Sequence, residues 1–251
     1  VLFRWQPGRF VNDRLTTDHL QRVGMFMACL HEHAARWQPP VGFVRGRVDN
    51  LTAETRRESL VDPHMLDRRA LSQHPGEQDA EQAVRLVTDL LSPDGGALVA
   101  QAIAAIRRVH AEIGYDPDVF GLIHADLHQD NYLFGGDRQD RQMCAIDFDD
   151  CGYGHYLFDL NVTLLEVQHL RTYATLRTAL LEGYRRIRPL PSNHEAYLAT
   201  FFILRRLQLL MWVLQSREHP AFRAWWREAA EDDLGRLQQM LEAGAPLQAS
   251  R

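Results

Sequence analysis

The chain has no lysine: all 28 of its basic residues are arginine. That absence excludes, within these 251 residues, a Schiff-base lysine, a Walker lysine and the strand lysine that anchors nucleotide in protein kinases. Cysteine is scarce as well, and Cys29, Cys144 and Cys151 form neither a CxxC pair nor an even-numbered set. Neither a disulfide scaffold nor a thiolate zinc site is indicated, and a reducing, cytoplasmic setting is expected. Positive charge is not in excess. The 28 basic against 33 acidic residues leave a net charge of −5, which argues against a nonspecific nucleic-acid binder, whose affinity rests on phosphate neutralisation. Long apolar runs are missing too. The richest region, Tyr197 to Leu214, is broken by Arg205, Arg206 and Gln208, well short of the roughly 20 apolar residues of a membrane helix. Val1 to Phe10 lacks the basic-then-apolar order of a signal peptide.

What is present is the composition of one large globular core or two small ones, with 45% apolar and 24% charged residues. Leu20, Val23, Met27, Leu30, Ala34 and Trp37 recur at steps of three and four between Thr/Asp capping residues and Pro39-Pro40, which predicts a helix from Thr16 to Trp37. Residues 38 to 76, rich in Pro, Gly, Arg and Asp, read as a loop region with one or two short helices. Further helices are expected over Glu77 to Leu91 and Ala97 to Ile113, with Ser92 to Gly96 as the break between them. Val119–Ile123, Tyr132–Phe134 and Met143–Phe148 then read as short strands, with Gly135-Gly136-Asp137 as one of the turns. Helices return at about 157–170, 172–187, 193–217 and 221–243. The expected class is α+β, mostly α, with a small β insert that presents something.

That insert is where the chemistry concentrates. His124, Asp126, His128, Asp130 and Asn131 fall in HADLHQDN, and Asp147, Asp149 and Asp150 in IDFDD. Carboxylates brought close together repel one another unless a cation compensates, and magnesium prefers one or two carboxylates plus substrate phosphates. The order HxDxxxxN, followed sixteen residues later by an apolar-flanked Asp, matches the division of labour in phosphoryl transfer. There one Asp orients the attacking hydroxyl, while an Asn and a second Asp hold metal. A different reading takes the HxDxH spacing of His124, Asp126 and His128, with Asp147, as a zinc site of a metal-dependent hydrolase, and leaves Asn131 without a role. His128 and Asp130 read as turn formers, and Asp149 and Asp150 either assist Asp147 or cap a turn. Trp212, Trp225 and Trp226 read as packing aromatics, the alternative being a cation-π wall, and Glu228, Glu231, Asp232 and Asp233 as a solvated face.

HADLHQDNYLF together with IDFDDCGYGHYLFDL resembles the aminoglycoside phosphotransferase, choline kinase and type II homoserine kinase superfamily, which has a protein-kinase-like fold. The resemblance implies Asp126 as the catalytic Asp, Asn131 and Asp147 as magnesium ligands, His124 as support for the metal-binding segment and Asp159 as the structural Asp that pins the catalytic loop. The opening VLFRWQPGR resembles the last strand and hinge between two lobes. Arg4, Trp5, Leu133 and Ile146 thereby fall to nucleotide binding, with Leu133 as the adenine floor. The helix ending in Leu30-His31 also fits.

Residues 1–10 would then be the end of an N-terminal-lobe strand and the hinge, and 11–251 a kinase-like C-terminal lobe. Within that lobe the catalytic loop would span 122–134, the metal-binding segment 143–160 and a helical substrate subdomain 156–245. The N-terminal lobe, with its phosphate-covering loop and lysine, has no counterpart, since Gly42 and Gly46 offer no GxGxxG. The implied activity is transfer of the γ-phosphoryl of ATP, with Mg2+, to a hydroxyl of a small molecule such as an aminoglycoside, homoserine or a choline-like alcohol. Neither nucleic acid nor membrane is an expected partner. The alternative is a noncatalytic truncated module. Sequence preceding Val1 is expected, with weak ATP binding and little phosphotransfer by these residues alone, and a homodimer would cover the apolar surface near Val1, Phe3 and Leu133.

Overall fold

A computed structural model of the chain describes residues 5, 7–11, 14–52, 76–135 and 143–243. Helix α1, Thr17–Arg36, begins with a reciprocal cap: the Thr16 hydroxyl accepts from the His19 N–H at 3.3 Å, and the His19 ring accepts from the Thr16 N–H at 3.2 Å. It stops where Trp37 turns extended ahead of Pro39. Helix α2 is Glu77–Leu90 and α3 is Pro93–Ile113. The latter starts earlier than the apolar spacing suggests, because Ser92 caps it by accepting from the Gly95 N–H at 3.0 Å and Pro93 has its backbone preset for the first helical position.

Four short strands follow: β1 (Phe120–Ile123), β2 (Tyr132–Phe134), β3 (Met143–Ala145) and β4 (Gly152–His155). They form two antiparallel pairs, β1 with β4, where Phe120 faces His155 and Ile123 faces Gly152, and β2 with β3, where Tyr132 faces Ala145. The β3 strand ends at Ala145 and not at Phe148, since Asp147 takes a left-handed φ of 62° that no strand accommodates. The β4 strand escapes sequence reading because GYGH alternates glycine with aromatic residues, yet it is buried on both faces and also pairs with residues 46–48.

The rest is helical: α4 (Tyr156–Val167), α5 (Tyr173–Arg185), α6 (Leu198–Gln215), entered through a 3-10 segment Ser192–Tyr197, and α7 (Trp226–Ala243). The start of α7 lies five residues later than the sequence suggests, because residues 221–225 are turns held in part by the Trp225 indole N–H on the Ala221 carbonyl at 2.6 Å. An 18-residue stretch within Ser192–Gln215 is long and apolar enough to cross a membrane by length and composition, with mean hydropathy 1.4, but 61% of that stretch is buried as a core element. Helices α1 and α5 pack in backbone contact. A Cβ added at Gly24 would lie 2.0 Å from the Leu180 carbonyl oxygen, and one at Gly183 would lie 2.0 Å from that of Gln21. This approach lets α1 carry His31 into the core beside Tyr184 and α4. Most of the loop region expected over 38–76, from residue 53 to 75, lies outside the described residues, as does the Gly136-Asp137 turn.

Candidate active site

The loop after β1 is built around one buried carboxylate. Asp159, in the first turn of α4, accepts the Ala125 N–H on Oδ1 at 2.7 Å and the His124 N–H on Oδ2 at 3.0 Å. Oδ2 also lies 3.0 Å from Nε2 of His31. A carboxylate oxygen accepts here, so His31 donates from Nε2, while its Nδ1 shares a 2.8 Å hydrogen bond with the Tyr184 hydroxyl. These bonds hold Ala125 at a φ of 70°, a left-handed conformation that costs a residue with a Cβ about 1–2 kcal/mol. The chain reverses there, and Asp126 comes to line a cavity beside the loop.

Asp126 is then fixed from three sides. Asn131, buried at the end of a 3-10 turn (Gln129–Asn131), donates Nδ2 to the Asp126 carbonyl at 2.8 Å and to its Oδ2 at 3.1 Å. His128 places Nε2 3.4 Å from the same oxygen. Arg205, from α6, donates Nη2 to Oδ1. Burial works against ionisation, but the hydrogen bond from His128 and the charge of Arg205 outweigh it and hold the Asp126 carboxyl below its usual range. The same hydrogen bond raises the His128 imidazole above its usual value despite burial, aided by the charges of Asp126, Glu166 and Asp130.

Asp147 is tied to this loop through its neighbours. The Ile146 N–H donates to the Asn131 carbonyl at 2.9 Å, the Ile146 carbonyl accepts His124 Nε2 at 3.0 Å, and the Phe148 ring lies 4.5 Å from that of His124. Both amide hydrogen bonds of Asn131 go to Asp126, which leaves its Oδ1 uncommitted among the described residues. The exposed Asp147 carboxylate likewise makes no hydrogen bond or ion pair among them. Two oxygen donors without protein partners, on adjoining segments, suit a hard cation that completes its shell with phosphates and water.

The same bonds overturn the zinc-hydrolase reading. Both ring nitrogens of His124 are committed, Nε2 to Ile146 and Nδ1 to the Asp126 N–H at 3.3 Å, and His128 is spent on Asp126 and on capping the Asp130 N–H. No group of three His, Cys, Asp or Glu able to hold a metal occurs among the described residues.

Of the nucleotide candidates, Leu133 is half-buried in β2, where Gly8 lies so close that a Cβ there would stand 2.8 Å from the Leu133 Cβ. Arg9 and Phe134 exchange backbone hydrogen bonds of 2.9 and 3.0 Å, so the opening segment runs beside β2. Ile146 is half-buried, Trp5 is 86% exposed, and Arg4 lies outside the described residues. Trp212 and Trp225 each pack against the Phe222 ring at 4.8 Å, yet stay 56% and 42% exposed, Trp212 because its helical position faces the cavity. One more expectation is corrected. Asp233 is buried against Arg206 at 2.7 Å and does not share the solvated face of Glu228, Glu231 and Asp232.

The cavity measures about 520 Å³, within the size range of small-molecule sites. Asp126, His128 and Arg205 line it, together with the exposed Asp149, Asp150 and Trp212. Sequence reasoning missed Arg205 and His31 as parts of this site. The available signal was the Arg205-Arg206 pair within a largely apolar helix, where a charge taken out of water requires a partner.

A β insert that sets an Asp and an Asn on one loop, next to an Asp-bearing hairpin and backed by helices, is the arrangement of a protein-kinase-like fold. The chain belongs to the phosphotransferase enzyme (APH) family, whose profile matches residues 1–190. Among solved structures, the microcompartment-associated aminopropanol kinase is similar with a TM-score of 0.65 at 29% identity, over 92% of this chain and 64% of that one. Amicoumacin kinase, solved with AMP-PNP, Ca2+ and Ami, shares the fold with a TM-score of 0.64 at 18% identity, over 94% of this chain and 66% of that one. A curated homoserine kinase from Neisseria meningitidis serogroup B is 31% identical over 124 residues, 48% of this chain and 38% of its own. The chain thus spans less than two-fifths of that relative's length and about two-thirds of the two solved kinases.

Proposed function

We propose that this chain carries the catalytic half of an ATP-dependent phosphotransferase acting on a hydroxyl of a small molecule. The observation that carries this reading is the Asp126–Asn131 pair. One side chain leaves a carboxylate in the cavity and the other an uncommitted amide oxygen beside the Asp147 segment. In this reading Asp126 accepts the acceptor's hydroxyl and aims its oxygen for in-line attack. Its lowered basicity suits a role in orientation, since a loose phosphoryl-transfer transition state asks mainly for positioning and charge neutralisation. Asn131 and Asp147 would hold magnesium, which when bound offsets the charge of the nucleotide phosphates. Leu133 and Ile146 would contact adenine, with the segment around Arg9 as hinge, and the reading carries with it a cytoplasmic location, where ATP is abundant.

For the acceptor, Asp149, Asp150 and the exposed face of Trp212 favour a hydroxyl compound that also bears a cationic nitrogen. The test is Mg2+-dependent transfer of the γ-phosphoryl of ATP to amino alcohols, amino-acid alcohols and aminoglycosides. In an active full-length form of the protein, Asp126→Ala and Asp147→Ala should each lower turnover by about 10²–10⁴-fold, the range for a group acting in the transition state. Turnover that survives Asp126→Ala would refute the assignment.

A further inference from the structure

Helix α6 lays one stripe along the cavity: Arg205, Gln208, Leu209 and Trp212, spaced three, four and seven residues from the first. Gln208 is buried and donates to the Val48 carbonyl, which ties the stripe to the segment that pairs with β4. Its inner end is Arg205, which reaches across 79 positions of sequence to Oδ1 of Asp126. The next residue, Arg206, points to a different carboxylate, Asp233, at 2.7 Å. The twin arginines therefore serve separate partners, and only Arg205 belongs to the cavity.

Asp126 needs such a partner. Its Oδ2 is held by Asn131 and His128, but both lie on the loop of Asp126 itself. Arg205 is the one contact to the carboxylate, among the described residues, that comes from another element of the fold. We propose that Arg205 is a positioning residue: from the rigid frame of α6 it fixes the orientation of the Asp126 carboxylate toward the acceptor hydroxyl. A carboxylate oxygen has two lone-pair directions, so Oδ1 can keep the guanidinium on one and receive a hydroxyl on the other. The fixed cation also offsets the repulsion between Asp126 and the incoming phosphoryl group. This inference rests on the phosphotransferase reading for the role of Asp126.

Two measurements test it. The first needs no turnover. The Asn131 side-chain amide, hydrogen-bonded to Asp126, reports the pose of the carboxylate by NMR. Its two proton signals are expected to be distinct and slowly exchanging in the wild type and in Arg205→Lys, which keeps one charged donor, and to broaden toward free-amide shifts in Arg205→Met. The second is kinetic. Arg205→Met should lower kcat about 100-fold, the cost of a misplaced reacting group, with the KM for ATP unchanged, and Arg205→Lys should recover most of the loss. Combined with Asp126→Asn it should add little further loss, since both changes remove one function.

An unchanged Asn131 amide in a folded Arg205→Met overturns the proposal. So does an Arg205→Lys variant as poor as Arg205→Met, or, where Arg205→Met does not fold, a broadened Asn131 amide in Arg205→Lys. Collapse with Asp126→Asn but wild-type kcat with Arg205→Met would defeat this inference alone. Retained turnover with Asp126→Asn would defeat the underlying reading.

Discussion

Asp159 and Ala125, thirty-four residues apart, are joined by a 2.7 Å hydrogen bond from the alanine N–H to the buried carboxylate, at the point where the loop after β1 turns left-handed. The bond explains how a strained backbone is kept. Three donors, two backbone N–H groups and the His31 ring, converge on one anion that has no access to water. The strain at Ala125 is offset by that convergence, and the direction of Asp126 depends on it.

Asp159→Ala should therefore do more than lose one contact. It strands three buried donors, and removing one partner of a buried ionic arrangement costs about 3–5 kcal/mol. Denaturant unfolding should show that loss, together with lower protection of the 124–126 amides from hydrogen exchange. A loss below about 1 kcal/mol, the size of an ordinary exposed substitution, would mean that Asp159 does not pin the loop.

The backbone contact between α1 and α5 gives a second expectation. A methyl group at Gly24 or Gly183 meets carbonyl oxygens of the facing helix, which cannot rotate away as a side chain can. Gly24→Ala and Gly183→Ala should each destabilise by about 1–3 kcal/mol or more, the usual range for overpacking. Because α1 carries His31, the same variants should weaken its bond to Asp159, visible as altered His31 ring signals in NMR. Wild-type stability in both variants would contradict the close helix approach.

Acid sensitivity follows from His155. This side chain is buried, with its ring 4.4 Å from that of His110 and its Nε2 donating to the Gly114 carbonyl at 2.8 Å, next to the Arg47–Asp49 pair. Burial, and then the charge of His110, push its pKa well below the usual value. The unfolded chain thus binds protons first. The stabilising contribution of neutral His155 is complete above the unfolded pKa of about 6.5 and is lost as pH falls below it toward the folded value. His128 has the opposite sign, since its raised pKa adds stability below about 6.5 that is lost as pH rises through the folded value. It is partly exposed, so the buried histidine dominates. Unfolding free energy should fall between pH 7 and pH 5, and His155→Gln should flatten the fall. A wild-type profile that rises toward pH 5 would contradict this.

What the sequence made legible was local. The three-and-four spacing of α1 and the strand Tyr132–Phe134 need only neighbouring residues to specify them, and so does the order of Asp126, Asn131 and Asp147. What it hid was tertiary or conformational. Arg205 meets Asp126 across 79 residues and His31 meets Asp159 across 128, distances at which no periodicity speaks. The strand over residues 143–148 was cut short by a backbone angle at Asp147, and β4 was masked by its glycines, whose propensity opposes the pairing that burial enforces. His128 looked like a turn former, and it is one, but the ring nitrogen not used in capping serves Asp126.

The central claim is that Asn131 and Asp147 hold one divalent cation beside Asp126. Its most direct test is paramagnetic line broadening with Mn2+ and AMP-PNP, read residue by residue in the NMR spectrum. Signals of Asn131, Ile146 and Asp147 should broaden first, with the 124–126 loop next, and Asp147→Ala should abolish the effect. Broadening centred elsewhere, or the same pattern persisting in Asp147→Ala, would contradict the metal site and with it the phosphotransfer reading.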